Sequence, residues 1–345
     1  MDTLSNGALA ELLARAAEDE EGHRARALRR AARAALQWPE ETATLVGRGA
    51  SLLDLRGVGP WVAARIRSWL ESPPEVPEPP ALRSGFMTMA EARAVLAEHP
   101  GWRSDIRADL QMHTTWSDGS APLEEMAERA AARGYAHVAV TDHSKGLPIA
   151  RGMDEATLVA QGREIDALNR RMEASGGGFR VLRSLEMNLS PAGEGDMDLE
   201  VLAGLDLVLG AFHSRLRVTD DQTERYLAAL ANRSVHVLAH PRGRRWGARA
   251  GLRAEWDVVF RAAAAAGVAL EIDAFPDRQD LDVALAGEAA RAGAWISIGT
   301  DAHHPGELAF MELGLAIAIR GGVPKERILN FLPRGELLKW AERRG

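Results

Sequence analysis

The chain has 345 residues, a net charge of −7 from 42 basic and 49 acidic residues, and no cysteine. The missing thiols exclude disulfides, thiolate zinc sites and cysteine nucleophiles, so any metal must be held by nitrogen and oxygen. No stretch reaches the roughly 20 apolar residues of a membrane span, and the polar N-terminus lacks the pattern of a signal peptide, so the expectation is a cytoplasmic protein.

Residues 1–72 read as a small all-α domain. Leu9, Leu12 and Leu13 open an amphipathic helix, residues 24–36 form a second, and residues 51–70 are two helices broken by Gly57-Val58-Gly59-Pro60. Ten arginines balance ten acidic residues over 1–72, yet Arg24, Arg26, Arg29, Arg30 and Arg33 cluster on one helix. Clustering sets the local field more than the sum does. A proline-rich run over 72–80 can be neither helix nor central strand. Residues 73–105 are therefore assigned to a stiff linker and a connecting helix over 86–99.

From residue 106 short apolar runs rich in Val, Ile and Leu alternate with Ala/Glu/Arg stretches, the β/α pattern of a mainly parallel sheet. Seven strands are predicted, over 107–113, 137–141, 179–186, 206–212, 235–239, 268–272 and 295–299. At their C-terminal ends stand Gln111 and His113; Asp142 and His143; Glu186; His213; His240; Glu271 and Asp273; Asp301 and His303. Every strand ends in a side chain able to bind a hard or borderline metal. Functional groups collect on that face in β/α barrels, and residues two apart share a side, so Gln111/His113 and Glu271/Asp273 converge as pairs. His240 alone would be a structural histidine and Asp118 alone a turn residue. Together they would be costly to bury without cations.

The segments Asp109-Leu110-Gln111-Met112-His113 to Asp118-Gly119, Thr141-Asp142-His143-Ser144, Glu186, His213, His240-Pro241, Glu271-Ile272-Asp273 and Thr300-Asp301-Ala302-His303 resemble the polymerase and histidinol phosphatase (PHP) family of phosphoesterases. The resemblance covers about residues 106 to 335. It implies a distorted seven-stranded (β/α)7 TIM-like barrel over 106–345, with two to three divalent ions, zinc or manganese. The ligands it implies are Gln111, His113, Asp118, His143, Glu186, His213, His240, Asp301 and His303. Glu186 would bridge two ions, and Glu186, Asp301 and His143 would carry catalysis by a metal-activated water. Arg242, Arg244 and Arg245, with Glu271 and Asp273, are the candidate substrate contacts. Two positions depart from the family: Gln111 stands where its motif has His, and Asp273 where it usually has Asn.

Residues 52–66 look like a helix–hairpin–helix, whose glycines permit a tight turn and whose following helix offers free N–H groups to a DNA phosphate. Gly57, Val58, Gly59, Arg26 and Arg30 are the candidate DNA contacts. The wider segment 9–70 resembles the small N-terminal domain of family X DNA polymerases, bacterial members of which carry a PHP domain at their C-terminal end. About 35 residues separate the two parts, too few for a polymerase palm, so no polymerase activity is expected. The lysines are Lys145, Lys325 and Lys339, so this region has no side-chain amine for a lyase Schiff base, leaving only the α-amino group. The expected function is a DNA-directed phosphoesterase. The alternatives are a histidinol-phosphatase-like enzyme for small molecules and a non-catalytic DNA-binding scaffold.

Overall fold

The computed structural model describes residues 4–343; the α-amino group of Met1 lies outside them. Four helices open the chain: α1 (Asn6–Ala16), α2 (Gly22–Ala35), α3 (Thr42–Gly47) and α4 (Pro60–Glu71). Their apolar faces, with Leu9, Leu13, Leu28, Leu36, Trp38 and Ile66 fully buried, form a core of their own. The first half of the expected helix pair over 51–70 is only a short 3-10 turn, Leu52–Asp54, and α3 was not anticipated. Gly57 adopts φ +81, and a Cβ there would stand 3.1 Å from Ala34 Cβ, so the hairpin lies tightly on α2. Val58 turns its side chain into the helical core, and the Trp38 indole donates to Arg56 O at 3.1 Å.

The proline-rich segment forms no regular element, but it is not free. Arg83 makes a two-pronged bond to Glu11, and Leu82 O accepts from Gly247 N. The next helix, α5 (Met89–Glu98), buries Met89, Ala92, Val95 and Leu96 in the barrel's outer core. It therefore covers the barrel as well as connecting to it.

The seven strands are β1 (Ala108–Asp109), β2 (His137–Val140), β3 (Arg180–Asn188), β4 (Leu207–Ala211), β5 (Val237–Leu238), β6 (Ala269–Asp273) and β7 (Trp295–Gly299). They lie in chain order and every adjacent pair is parallel. The barrel closes where β1 meets β7. Met112 bridges Ala302 in parallel, His113 N donates to Ala302 O at 2.8 Å, and Asp301 N donates to Gln111 O at 3.1 Å. Lower down, the fully buried Asn330 side chain stands in for a missing rung: Oδ1 accepts from Ile298 N at 2.7 Å, while Nδ2 donates to Ala108 O and Ile298 O. Asn330→Ala should cost about 2–4 kcal/mol by orphaning these groups, read as a lower denaturation midpoint at unchanged m-value.

Strand alternation sorts the interior. Ala139, Leu182, Leu209, Val237 and Ala269 fill the lower barrel, while Val138, Val181, Val208, Leu238 and Ile298 face the surrounding helices. Two residues further along the same inward columns stand polar groups: Glu271 follows Ala269, and His213 follows Ala211. The apolar plug thus ends where the candidate site begins.

Candidate metal centre

Glu186, on β3, is wholly buried at the hub of the site. Its Oε1 lies 2.7 Å from His240 Nε2 and 3.2 Å from His213 Nε2; its Oε2 lies 3.1 Å from His143 Nδ1 and 3.4 Å from His113 Nε2. His113 also reaches Asp301 Oδ1 at 2.9 Å. On the solvent side Asp118 stands 3.6 Å from His143 Nε2 and 3.3 Å from His303 Nε2. The His113 ring stacks between His143 and His303, at centroid distances of 4.4 and 4.3 Å. These contacts resolve into three overlapping donor groups: His113/Asp118/His143/His303, His143/Glu186/His213 and His113/Glu186/Asp301.

Local structure fixes how these groups point. His240 and Asp301 sit at positive φ, +26 and +51, conformations that persist only when neighbours over-determine them. His240 N donates to Glu271 Oε2 at 2.7 Å, and Asp301 is held by the barrel seam. Asp109 strengthens that seam by accepting from Thr300 N and Oγ1 at 3.1 and 2.6 Å; burial pushes its pKa up to about 6. The ring nitrogens are assigned from their partners. His303 Nδ1 donates to Asp301 O at 2.7 Å and His213 Nδ1 to Asn188 Oδ1 at 3.2 Å, so Nε2 is the atom each ring turns to the centre.

The donors fit a divalent cation. They are imidazoles and carboxylates, suited to zinc or manganese. Glu186 Oε2 and His143 Nδ1 are buried at the centre without a hydrogen bond, as groups reserved for a ligand would be. Burial opposes ionisation of Glu186, but His143, His240 and His213 outweigh it and hold the carboxyl well below the usual range. Burial pushes His143 down to about 3, neutral and ready to ligate. His303 goes the other way: burial opposes, but its bond to Asp118 and the charge of Asp301 raise it to about 10. A ligating His303 must lose that proton. Metal affinity should therefore rise by about one log unit per pH unit between about pH 6 and pH 9, and calorimetry in buffers of different ionisation enthalpy should detect the released proton. A flat pH dependence would contradict this.

Several candidate residues have other partners. With its amide oriented to suit its surroundings, Gln111 donates to both Glu271 oxygens, at 2.9 Å to Oε2, leaving its carbonyl oxygen as the group it can offer a cation. Glu271 and Asp273 are fully buried and form a floor beneath the cluster. Burial raises both, Glu271 further through Asp273 and Asp273 further through Asp301. The expected phosphate-steering arginines are engaged elsewhere. Arg242 pairs with Asp282 at 2.7 Å, Arg245 with Asp277 at 3.1 Å, and Arg244 is buried against Asp282, Gly85 O and the Phe86 ring. These bonds brace the loop, which corrects the substrate-contact expectation for Arg244 most directly, since a buried guanidinium has no open face. Arg278 was missed. Its Nη2 lies 3.2 Å from Asp301 Oδ2 and its Nε 3.7 Å from Asp273 Oδ2, and nothing local in the sequence separates it from the chain's other arginines.

In the helical region Arg26, Arg29, Arg30, Arg33 and Arg56 line one groove with Gly57, Val58 and Gly59. Among the described residues the side chains of Arg26, Arg29 and Arg30 make no ion pair or hydrogen bond. Arg33, at the far end of the row, stands 3.8 Å from Asp277 Oδ2 on the barrel, and Trp246 of the barrel is buried in the helical core.

A parallel barrel with a histidine–carboxylate cluster at its C-terminal mouth defines a metal-dependent hydrolase. Residues 109–274 match the PHP domain. The chain is 38% identical over 226 residues to "DNA polymerase/3'-5' exonuclease PolX" of Bacillus subtilis, a match covering 65% of this chain but only 39% of that protein. It is 30% identical over 251 residues to "Probable phosphatase YcdX" of Shigella dysenteriae, covering 69% of this chain and 94% of that one. A solved structure of histidinol phosphate phosphatase from Lactococcus lactis, complexed with zinc, L-histidinol and phosphate, matches 62% of this chain and 94% of its own at 15% identity and a TM-score of 0.41. The chain belongs to the PHP-domain family and is a metal-dependent phosphoester hydrolase. Among the described residues no helix is long and apolar enough to cross a membrane.

Proposed function

We propose that the protein is a DNA-directed phosphoesterase of repair, a 3′-to-5′ exonuclease, 3′-phosphatase or abasic-site nuclease using two to three zinc or manganese ions. The observation that carries this reading is the arginine row of α2, in which the Arg26 and Arg30 side chains are unpaired. Residues 26, 30 and 33 share one helix face over a length of roughly 10 Å, beside the hairpin and the N-terminus of α4, and the row ends at the barrel mouth through Arg33 and Asp277. Such a row suits a phosphate backbone, and the hairpin's free amides add sequence-independent contacts.

When bound, the metals would supply a hydroxide near neutral pH and screen the phosphate's charge. Glu186, Asp301 and Asp118 would contribute carboxylate donors, and His113, His143, His213, His240 and His303 imidazole donors. Glu271 braces Gln111 and the His240 backbone.

The test is protein purified without chelator, assayed with manganese on 5′-labelled DNA carrying a recessed 3′ end, beside Asp301→Ala. Stepwise shortening lost in that variant is the expected result. DNA binding without cleavage would favour the scaffold reading, and neither would favour small phosphomonoesters. Arg26→Ala/Arg30→Ala should weaken DNA binding at least about tenfold and reduce the salt slope by about two, with hydrolysis of p-nitrophenyl phosphate unchanged. An unaltered salt slope would remove the helical groove from the reading.

A further inference from the structure

We propose that Arg217 and Arg249 form a second phosphate-binding site at the barrel mouth, which holds a backbone phosphate of a polynucleotide while another phosphate lies at the metal centre. The inference rests on the DNA reading above and deepens it: the site suits chains of phosphodiesters rather than single phosphomonoesters. Arg217 stands on the loop after β4 and Arg249 on the loop after β5, and Arg217 Nη1 reaches across to Ala248 O at 3.3 Å. Arg217 is exposed and Arg249 half-buried. Among the described residues neither guanidinium has a carboxylate partner, and Arg249 Nε is buried without a hydrogen bond. Burial, followed by the charges of Arg278, Arg245 and Arg217, lowers the Arg249 pKa, with Asp277 opposing. Massing guanidinium groups around a half-buried one is costly until an anion joins them. In a chain of net charge −7, this concentration sets a local field that draws a polyanion to the mouth.

Backbone geometry aims these groups. Arg245 and Arg249 close a tight hairpin, each N–H donating to the other's carbonyl at 2.9 Å. Residues directly opposed in this way send their side chains from the same face, so Arg249 stands beside Arg245. Arg245 in turn shares Asp277 Oδ2 with Arg33, at the end of the α2 row. The order Arg33, Arg245, Arg249, Arg217 therefore carries positive charge from the helical groove across the mouth. The hairpin is fixed to both halves of the protein. Trp246 is buried in the helical core, its N donates to Asp277 O at 2.7 Å, and Gly247 N donates to Leu82 O at 2.8 Å. On the same seam Gln279 is clamped to the Met87 backbone by bonds of 2.8 and 2.7 Å. Leu216 packs against Gly243, where an added Cβ would stand 2.9 Å from it, so the loop after β4 is held by the loop after β5. A site fixed in advance loses little freedom on binding, and planar forks suit the two free oxygens of a phosphodiester. Among the described residues neither arginine pairs with a member of the three donor groups, which sets their phosphate apart from the one at the metals.

A bracing role for the two arginines makes a different prediction, because a loosened mouth would slow every substrate alike. The experiment uses the full-length, metal-loaded protein as wild type, Arg217→Gln/Arg249→Gln and Arg217→Glu, with metal content measured by mass spectrometry. Binding of 5′-labelled DNA with a recessed 3′ end is titrated against salt, and KM and kcat are taken on that DNA and on p-nitrophenyl phosphate. At equal metal content the double variant should bind DNA at least about tenfold more weakly, with the salt slope reduced by about one. Its KM on DNA should rise in parallel, while its kinetics on p-nitrophenyl phosphate stay within about twofold of wild type. Wild-type DNA affinity and salt slope in the double variant overturn the proposal and leave the DNA reading in place. An equal loss on both substrates overturns it too, in favour of bracing. A wild type that neither binds nor cuts DNA fails the DNA reading and takes this inference with it. Should the double variant fail to fold, Arg217→Glu decides alone: the side chain is exposed, and a reversed charge that leaves DNA affinity unchanged sinks the proposal.

Discussion

Glu186→Ala should lower kcat on the order of 10³-fold or more and strip most of the bound metal. Four imidazoles approach this one carboxylate within 3.4 Å, and it is wholly buried. Removing it leaves His113, His143, His213 and His240 packed together without the carboxylate they share, so a cation entering the centre keeps only Asp301 and the outer Asp118 as anionic donors. Glu186→Gln separates charge from shape. It fills the same space and should retain near-normal folding, yet lose metal almost as completely. A further sign follows from pKa. The Glu186 carboxyl is depressed in the folded protein, so its contribution to metal-free stability is fully present above about pH 4.5 and is lost as pH falls further. The acid-side stability slope of the metal-free protein should therefore flatten in Glu186→Gln. Wild-type metal content in either variant, with more than about a tenth of the activity, would remove Glu186 from the hub.

Much of the fold was legible in the sequence because strand chemistry is local. All seven predicted strands exist, since most are short runs rich in Val, Ile and Leu, bounded by turn residues and largely buried on both faces. β1 is shorter than expected, with two residues in the ladder against the seven of 107–113, because past Asp109 the chain pairs across the seam, Met112 with Ala302. Strand ends also announced the cluster, because the period of two carries an inward column of small apolar residues directly onto His213 and Glu271. Partnerships across sequence were not legible. Nothing near Arg242 or Arg244 says that Asp282 waits some forty residues away, and nothing near Arg278 says that its neighbours are anchored to Met87 and Arg33. The same blindness hid Asn330, whose role exists only because the barrel seam lacks a rung. It also left open what holds the linker, since a run of prolines reports stiffness but not its partners. Gln111 departs from the family motif in a way the structure explains in part: its amide is the donor that the buried Glu271 carboxylate takes alongside His240 N.

Asp142→Ala should destabilise the protein by about 3–5 kcal/mol and lower Tm by roughly 10 °C, although Asp142 belongs to none of the three donor groups. The sequence placed it at a strand end beside His143, as a possible ligand by type. The structure turns it away from the imidazoles and onto the loop that follows His113. Its fully buried carboxylate accepts from Thr114 N at 2.8 Å, Thr114 Oγ1 at 2.7 Å, Ser117 N at 3.1 Å, Ser117 Oγ at 2.5 Å and Gln161 Nε2 at 2.6 Å. Truncation leaves two backbone amides and a buried glutamine without partners, each costing about 1–3 kcal/mol. That loop carries His113 at one end and Asp118 at the other. Loosening it should also lower kcat by about 10–100-fold, as happens when groups that orient metal ligands are removed. Asp142→Asn keeps one acceptor and presents an NH2 to the remaining donors, so it should fall between wild type and alanine in both measurements. Gln161→Ala removes one donor and spares the loop, and should cost the least. The ordering Ala, then Asn, then Gln161→Ala is the diagnostic. If Asp142→Ala melts within about 2 °C of wild type, the carboxylate is not what holds the loop, and the geometry of Asp118 must be set by its own imidazole neighbours.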